Sequence, residues 1–163
     1  MIVVIMGVAG SGKSTVGSQL AEALGCEFLD GDSLHSPANI EKMAHGVPLT
    51  DGDRAPWLDE IHAHILRRFN NSASLVVACS ALKQRYRETL ARGVPVHWVY
   101  LKGSEELIRE RLQHRHHHFM TAQMLASQFA DLEEPKDAIV IDIAVAPAAA
   151  VQQILDALSD DSH

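Results

Sequence analysis

Five short apolar runs punctuate the chain: Ile2 to Met6, Cys26 to Leu29, Ser74 to Cys79, Val96 to Leu101 and Ala138 to Ile141. They are rich in β-branched residues and read as strands, and their unbroken apolarity predicts burial on both faces. Between them lie stretches of helical period, such as Val16, Leu20 and Leu24, or Leu58, Ile61, Ile65 and Phe69, each turning one apolar stripe toward a core. The alternation of strand and helix predicts a parallel sheet covered on both sides, a three-layer α/β/α fold with five strands. Gly25, Gly46 and Gly93 stand where glycines close helices, and Ser36-Pro37 reads as an N-cap followed by a proline in the first turn. No internal repeat or low-complexity linker divides the chain, so residues 1–163 are expected to form one domain, with a polar, frayed end from Ser159 to His163.

Composition narrows the function. At 163 residues, with 47% hydrophobic and 21% charged positions, the chain can bury roughly 70% of its unfolded surface without a metal or disulfide staple. The two cysteines, Cys26 and Cys79, match no metal-ligand spacing and read as buried apolar residues of a reduced, cytoplasmic protein. A net charge of −7, from 21 acidic against 14 basic residues, repels phosphate polymers and anionic lipid, which argues against nucleic acid or a membrane as partner. The first apolar run lacks a basic flank and is too short for a signal sequence or a span.

The chemistry begins where that run ends. Gly7-Val8-Ala9-Gly10-Ser11-Gly12-Lys13-Ser14 fits G-x-x-x-x-G-K-[ST] at every constrained position, after a strand and at the start of a helix, with Thr15 next. Its backbone N–H groups can converge on a β-phosphate, Lys13 can reach the β and γ oxygens of ATP, and Ser14 can offer a hydroxyl to Mg²⁺. No N-K-x-D guanine reader is present, and Asp142 after the last strand reads as the start of a loop. The second strand ends in Asp30-Gly31-Asp32, at the carboxyl edge of the sheet beside the phosphate loop. Two residues apart on extended chain they share a face, and phosphoryl transfer has work for both: one carboxylate for a metal-bound water, one for the attacking hydroxyl. The plainer alternative is a pair of turn-forming or helix-capping aspartates.

The blocks Asp30-Gly31-Asp32-Ser33-Leu34-His35, Pro48-Leu49-Thr50-Asp51 with Asp53-Arg54-Ala55-Pro56-Trp57-Leu58, and Cys79-Ser80-Ala81-Leu82-Lys83 with Tyr86-Arg87 resemble the gluconate kinase family. So do Asn39 to Met43, His118-Phe119-Met120, Ser127-Gln128 and Leu132 to Pro135, so that the resemblance covers nearly the whole chain. It implies the fold of the small nucleoside-monophosphate and shikimate kinases and ATP- and Mg²⁺-dependent phosphorylation of D-gluconate on its 6-hydroxyl. It further implies an acceptor-binding segment at about 33–58, a lid at about 111–124 and a homodimer. By analogy with shikimate kinases, Asp30 would serve the metal shell and Asp32 the acceptor hydroxyl. In the lid, Arg111 would lie toward the adenine and Arg115 at the transferred phosphoryl group, under a cover that excludes water. The histidines at 116 and 117 depart from the smaller residues familiar there, but no nearby carboxylate or cysteine completes a metal site.

An anionic chain that takes an anionic sugar acid needs a local positive pocket. Arg54, between predicted helices, offers a planar fork to a carboxylate; on spacing alone it is equally a solvated helix-end charge. Lys83 and Arg87, four apart, share a helix face after a strand's carboxyl end. His35 reads either as a partner for a polyol hydroxyl or as a structural ring, and Trp57 and Phe119 read as core or closure residues. The competing functions are the same fold with another acceptor, shikimate or a nucleoside monophosphate, and a nucleotide-binding module without turnover.

Overall fold

The computed structural model describes residues 1–114 and 121–161. Strands β1 (Ile2–Met6), β2 (Glu27–Asp30), β3 (Leu75–Ala78), β4 (Val96–Lys102) and β5 (Ile139–Asp142) form one parallel sheet in the order β2-β3-β1-β4-β5. The helices are α1 (Lys13–Leu24), α2 (Pro37–Ala44), α3 (Asp51–Asn70), α4 (Gln84–Leu90), α5 (Glu105–Gln113), α6 (Ala122–Asp131) and α7 (Pro147–Asp161), with a 3₁₀ turn at Gly31–Leu34. Among the described residues no helix is long and apolar enough to cross a membrane.

Alternation along the central strand divides the core. Val3 and Ile5 face a cluster with Val16 and Leu20 of α1, Ile108 of α5 and Ile154 of α7. Ile2, Val4 and Met6 face Trp57, Leu58, Ile61 and Ile65 of α3 and Tyr86 and Leu90 of α4. All five residues of β1 are at most 1% exposed, as expected of a strand covered on both faces. The edge strands differ from the expectation: β2 is only partly buried and Val140 of β5 is 53% exposed, because an edge strand has no neighbour beyond it.

Three further expectations change. The stripe on α3 stops at Ile65, and Phe69, in the last turn, is exposed. Arg54 lies inside α3 rather than between helices, because Thr50 caps the helix eight residues before Leu58, the first apolar position read from the sequence: Thr50 Oγ1 accepts from the Asp53 N–H at 3.1 Å and Asp53 Oδ2 accepts from the Thr50 N–H at 2.9 Å. Ser159 to Asp161 continue α7 rather than fray. Gly25 caps α1 in the left-handed region as expected, while α4 is capped by Ala91 and Gly93 follows two residues later.

The topology fixes where a ligand can sit. β1 has β3 on one side and β4 on the other, so the chains leaving its two neighbours diverge and open a crevice above the carboxyl end of β1. The glycine-rich loop leaves β1 into that crevice.

Candidate active site

Gly12 forms the N-cap of α1 with φ +97°, a backbone state that costs other residues energy, and it provides no side-chain cap. The first-turn N–H groups therefore point into the crevice without a side-chain acceptor, the arrangement that binds anions. Ser11 Oγ is buried with no hydrogen-bond partner among the described residues, an orphan that a phosphate oxygen would satisfy. Lys13, 8% exposed, donates from Nζ to the Val8 carbonyl at 3.0 Å and is held across the loop.

The acidic pair sits beside it. Ser14 Oγ donates to Asp30 Oδ2 at 3.0 Å, so the hydroxyl and carboxylate expected at a metal already meet. The chain does not stay extended: Asp30 Oδ1 accepts the Asp32 N–H at 3.1 Å and caps the 3₁₀ turn, while Oδ2 of the same side chain accepts from Ser14. Asp32 is swung into that turn with its carboxylate exposed. Gly31 is demanded by space, since a Cβ there would lie 2.6 Å from the Ala78 carbonyl oxygen of β3.

Trp57 braces the acidic turn from α3. Its Nε1 donates to the Gly31 carbonyl at 2.7 Å and its ring stacks on His35 at 4.0 Å, which makes it a core residue that positions the acidic turn. The buried Asn39 donates from Nδ2 to the Asp53 carbonyl at 2.9 Å, and the same nitrogen stands 3.4 Å from His35 Nδ1. An amide nitrogen can only donate, which assigns the imidazole proton to Nε2. Burial pushes His35 below its ordinary pKa, against the charge of Asp32 and with that of Arg54, so the ring is neutral at pH 7.

Arg54 and Lys83 converge on Tyr86. Arg54 Nη1 donates to the Tyr86 hydroxyl at 3.1 Å, and Arg54 and Lys83 lie 5.6 and 5.7 Å from the centre of its ring. Tyr86 in turn donates to Asp51, which also pairs with Arg85 and, at 3.4 Å, with Lys83. The Tyr86 hydrogen bond, ahead of the neighbouring cations, holds the Asp51 carboxyl below its usual range.

Arg87 is not part of this group. It is 4% exposed and donates to the carbonyls of Ala81 at 2.7 Å, Leu82 at 3.1 Å and Glu133 at 2.7 Å. Lys83 is the N-cap of α4 and Arg87 lies in its last turn, so the shared helix face inferred from their spacing does not exist. Arg87 instead ties the loop after β3 to the chain after α6. Arg111, in the last turn of α5, donates to the Ile143 carbonyl just beyond β5. Arg115, the histidines 116–118 and Phe119 lie outside the described residues.

Gln128, Tyr86 and Asp51 hold roles that no local pattern in the sequence announces. Gln128 Oε1 accepts the Ala9 N–H at 2.8 Å, tying α6 to the phosphate loop across 119 positions. Such a long-range contact has no local signature. Asp142 forms the turn after β5, accepting the Ala144 N–H at 2.9 Å, in line with its reading as the start of a loop.

A phosphate loop at a switch point, a serine hydroxyl on a strand-end carboxylate and a cluster of cations around Tyr86 define a nucleotide-binding kinase of the P-loop class. A family model described as an AAA domain matches residues 2–135. The thermoresistant gluconokinase of Escherichia coli (strain K12) is 49% identical over 148 residues, which cover 87% of this chain and 84% of that protein. Among solved structures, a gluconokinase from Sinorhizobium meliloti 1021 is 42% identical with TM-score 0.81, over 99% of this chain and 97% of that one. An unliganded sugar kinase from Janibacter sp. HTCC2649, also 42% identical, has TM-score 0.89 over 97% and 94%. The chain belongs to the gluconokinase family.

Proposed function

We propose that this kinase transfers the γ-phosphoryl group of ATP to the 6-hydroxyl of D-gluconate, giving 6-phospho-D-gluconate and ADP. The loop from Gly7 to Thr15 holds the triphosphate through backbone N–H groups, and Lys13 neutralises charge that grows on the transferring group. Ser14 and Asp30, hard oxygen donors in contact at 3.0 Å, suit Mg²⁺. When bound there, that ion would supply positive charge to offset the charge of the phosphate oxygens. Asp32 accepts the proton of the 6-hydroxyl as its oxygen attacks phosphorus.

Arg54 and Lys83 take the carboxylate at the far end of the acceptor, and neutral His35 offers its Nε2–H to a polyol hydroxyl. Residues 33–58 thus form the acceptor segment. By the family resemblance, residues 111–124 are assigned the cover, with Arg111 serving the adenine side and Arg115 the phosphates. On this reading the enzyme works in the cytoplasm on small molecules.

The convergence of Arg54 and Lys83 on Tyr86 carries the choice of acceptor. A neutral sugar would leave that pair without its anion. Coupled ADP-release assays over gluconate, glucose, shikimate and AMP test it: kcat/KM for gluconate should exceed the others by at least about tenfold, the equivalent of one charge-assisted contact. Comparable values for glucose, shikimate or AMP would refute the assignment.

A further inference from the structure

The two pocket cations are not held alike. Asp51 is engaged by the Tyr86 hydroxyl and by Arg85 as well as by Lys83, so it is bound into the wall of the pocket. Asp131, the last residue of α6, stands 3.7 Å from Arg54 Nη2 through Oδ2 and 4.0 Å from Lys83 Nζ through Oδ1. It spans both cations at distances too long for hydrogen bonds, whereas a well-seated carboxylate would close to about 2.7–2.9 Å. Its side chain is 28% exposed and can rotate away without disturbing the core. The helix beneath it is fixed, because Gln128, one turn earlier, is bonded to the Ala9 N–H of the phosphate loop at 2.8 Å.

We propose that Asp131 is a placeholder carboxylate: it occupies the place of the acceptor's carboxylate on Arg54 and Lys83, and the acceptor must displace it to bind. The inference rests on the reading of those two cations as the carboxylate subsite. It makes Asp131 a specificity residue. An acceptor with a carboxylate replaces the loose pair by a tighter one, while a neutral acceptor gains nothing by displacing Asp131 and leaves the cations occupied by the protein itself.

The test is steady-state kinetics on the full chain carrying Asp131→Asn, with Asp131→Ala as a second variant, using D-gluconate and its neutral amide, gluconamide, as acceptors. Removing a competitor should lower the gluconate KM about 2–5-fold, the scale of loose, partly exposed ion pairs, with ATP KM unchanged. A purely structural role cannot improve KM. The gain should be absent for gluconamide, and acetate should inhibit the variant more strongly than the parent, competitively with gluconate. A gluconate KM that is unchanged or raised, or an equal gain for gluconamide, overturns the placeholder. Arg54→Lys and Lys83→Met, run alongside, separate the two levels. If they raise the gluconate KM while Asp131→Asn fails to lower it, only the placeholder falls; if they leave it unmoved, the carboxylate subsite itself falls and takes the placeholder with it.

Discussion

Replacing Gly31 by alanine should damage stability and turnover together, because the residue between the two aspartates has no room for a side chain. An added Cβ would lie 2.6 Å from the Ala78 carbonyl oxygen, 3.2 Å from Ile61 Cδ1 and 3.4 Å from Cys79 Cβ. The first of these is backbone of β3, which is paired on one side with β1 and on the other with β2, so it cannot retreat without breaking a ladder. Ile61, with 0% exposure, has little freedom either. The acidic turn must move instead, drawing Asp30 off Ser14 and straining the Trp57 bond to the Gly31 carbonyl. Overpacking of this kind costs about 1–3 kcal/mol. At about 2–4 °C per kcal/mol for a chain of this size, calorimetry should show Tm lowered by roughly 2–12 °C. A carboxylate displaced by part of an ångström should lower kcat on the order of 10–100-fold. Gly25→Ala is the control: its φ of +67° costs about 1 kcal/mol, but nothing lies within 4 Å of the added Cβ and it is remote from the acidic turn, so kcat should hold. Wild-type kcat and Tm in Gly31→Ala would refute the claim that close approach to β3 sets the carboxylates.

Asp32→Asn should leave calorimetric binding of ATP and gluconate intact while transfer slows about 10²–10⁴-fold, whereas Asp30→Asn should be partly rescued in an Mg²⁺ titration; metal rescue of Asp32→Asn alone would mean the roles are reversed. Lys13→Ala should lower kcat roughly 10²–10³-fold with the fold retained by circular dichroism. Arg87→Met should cost at least about 1–3 kcal/mol in a urea titration by stranding buried carbonyls, and in the folded fraction should move the gluconate KM less than Arg54→Lys does. The Lys42 side chain and the Thr50 backbone pull the Asp53 carboxyl down to about 2. A depressed acid stabilises fully above its unfolded value near 4 and loses that contribution as pH falls through its folded value near 2, so the Tm gap between parent and Asp53→Asn should be constant above about pH 5, shrink as pH falls toward 2 and close only below about pH 2.

What could be read from the chain depended on whether the deciding forces were local. The strands were legible because β1 and β3 are buried on both faces and β4 is buried from Val99 to Leu101, and burial writes continuous apolarity into sequence. Phe69 misled because a 3.6-residue period cannot announce that the partner sheet has ended. The start of α3 was missed because its first turn, Asp51-Gly52-Asp53-Arg54, has no apolar position, although the Thr50 and Asp53 capping pair was visible in hindsight as a local signal. The phosphate loop and the acidic pair were legible because their chemistry demands fixed residue types at fixed spacing.

The cationic pocket shows where that legibility stops. Arg54, Lys83 and Arg87 are equivalent on charge alone, and the resemblance did not separate them. What separates them is the competition for each donor. Arg87 lies where three backbone carbonyls gather, of which Leu82 also accepts the Glu133 N–H, and a buried carbonyl left short of donors is costly, so the guanidinium is drawn inward and spent there. Arg54 and Lys83 meet side chains instead, a phenol and two carboxylates, which can exchange partners with a ligand. A cation becomes available to a substrate only when its partners can be displaced, and that depends on residues 32 to 77 positions away that no local pattern encodes.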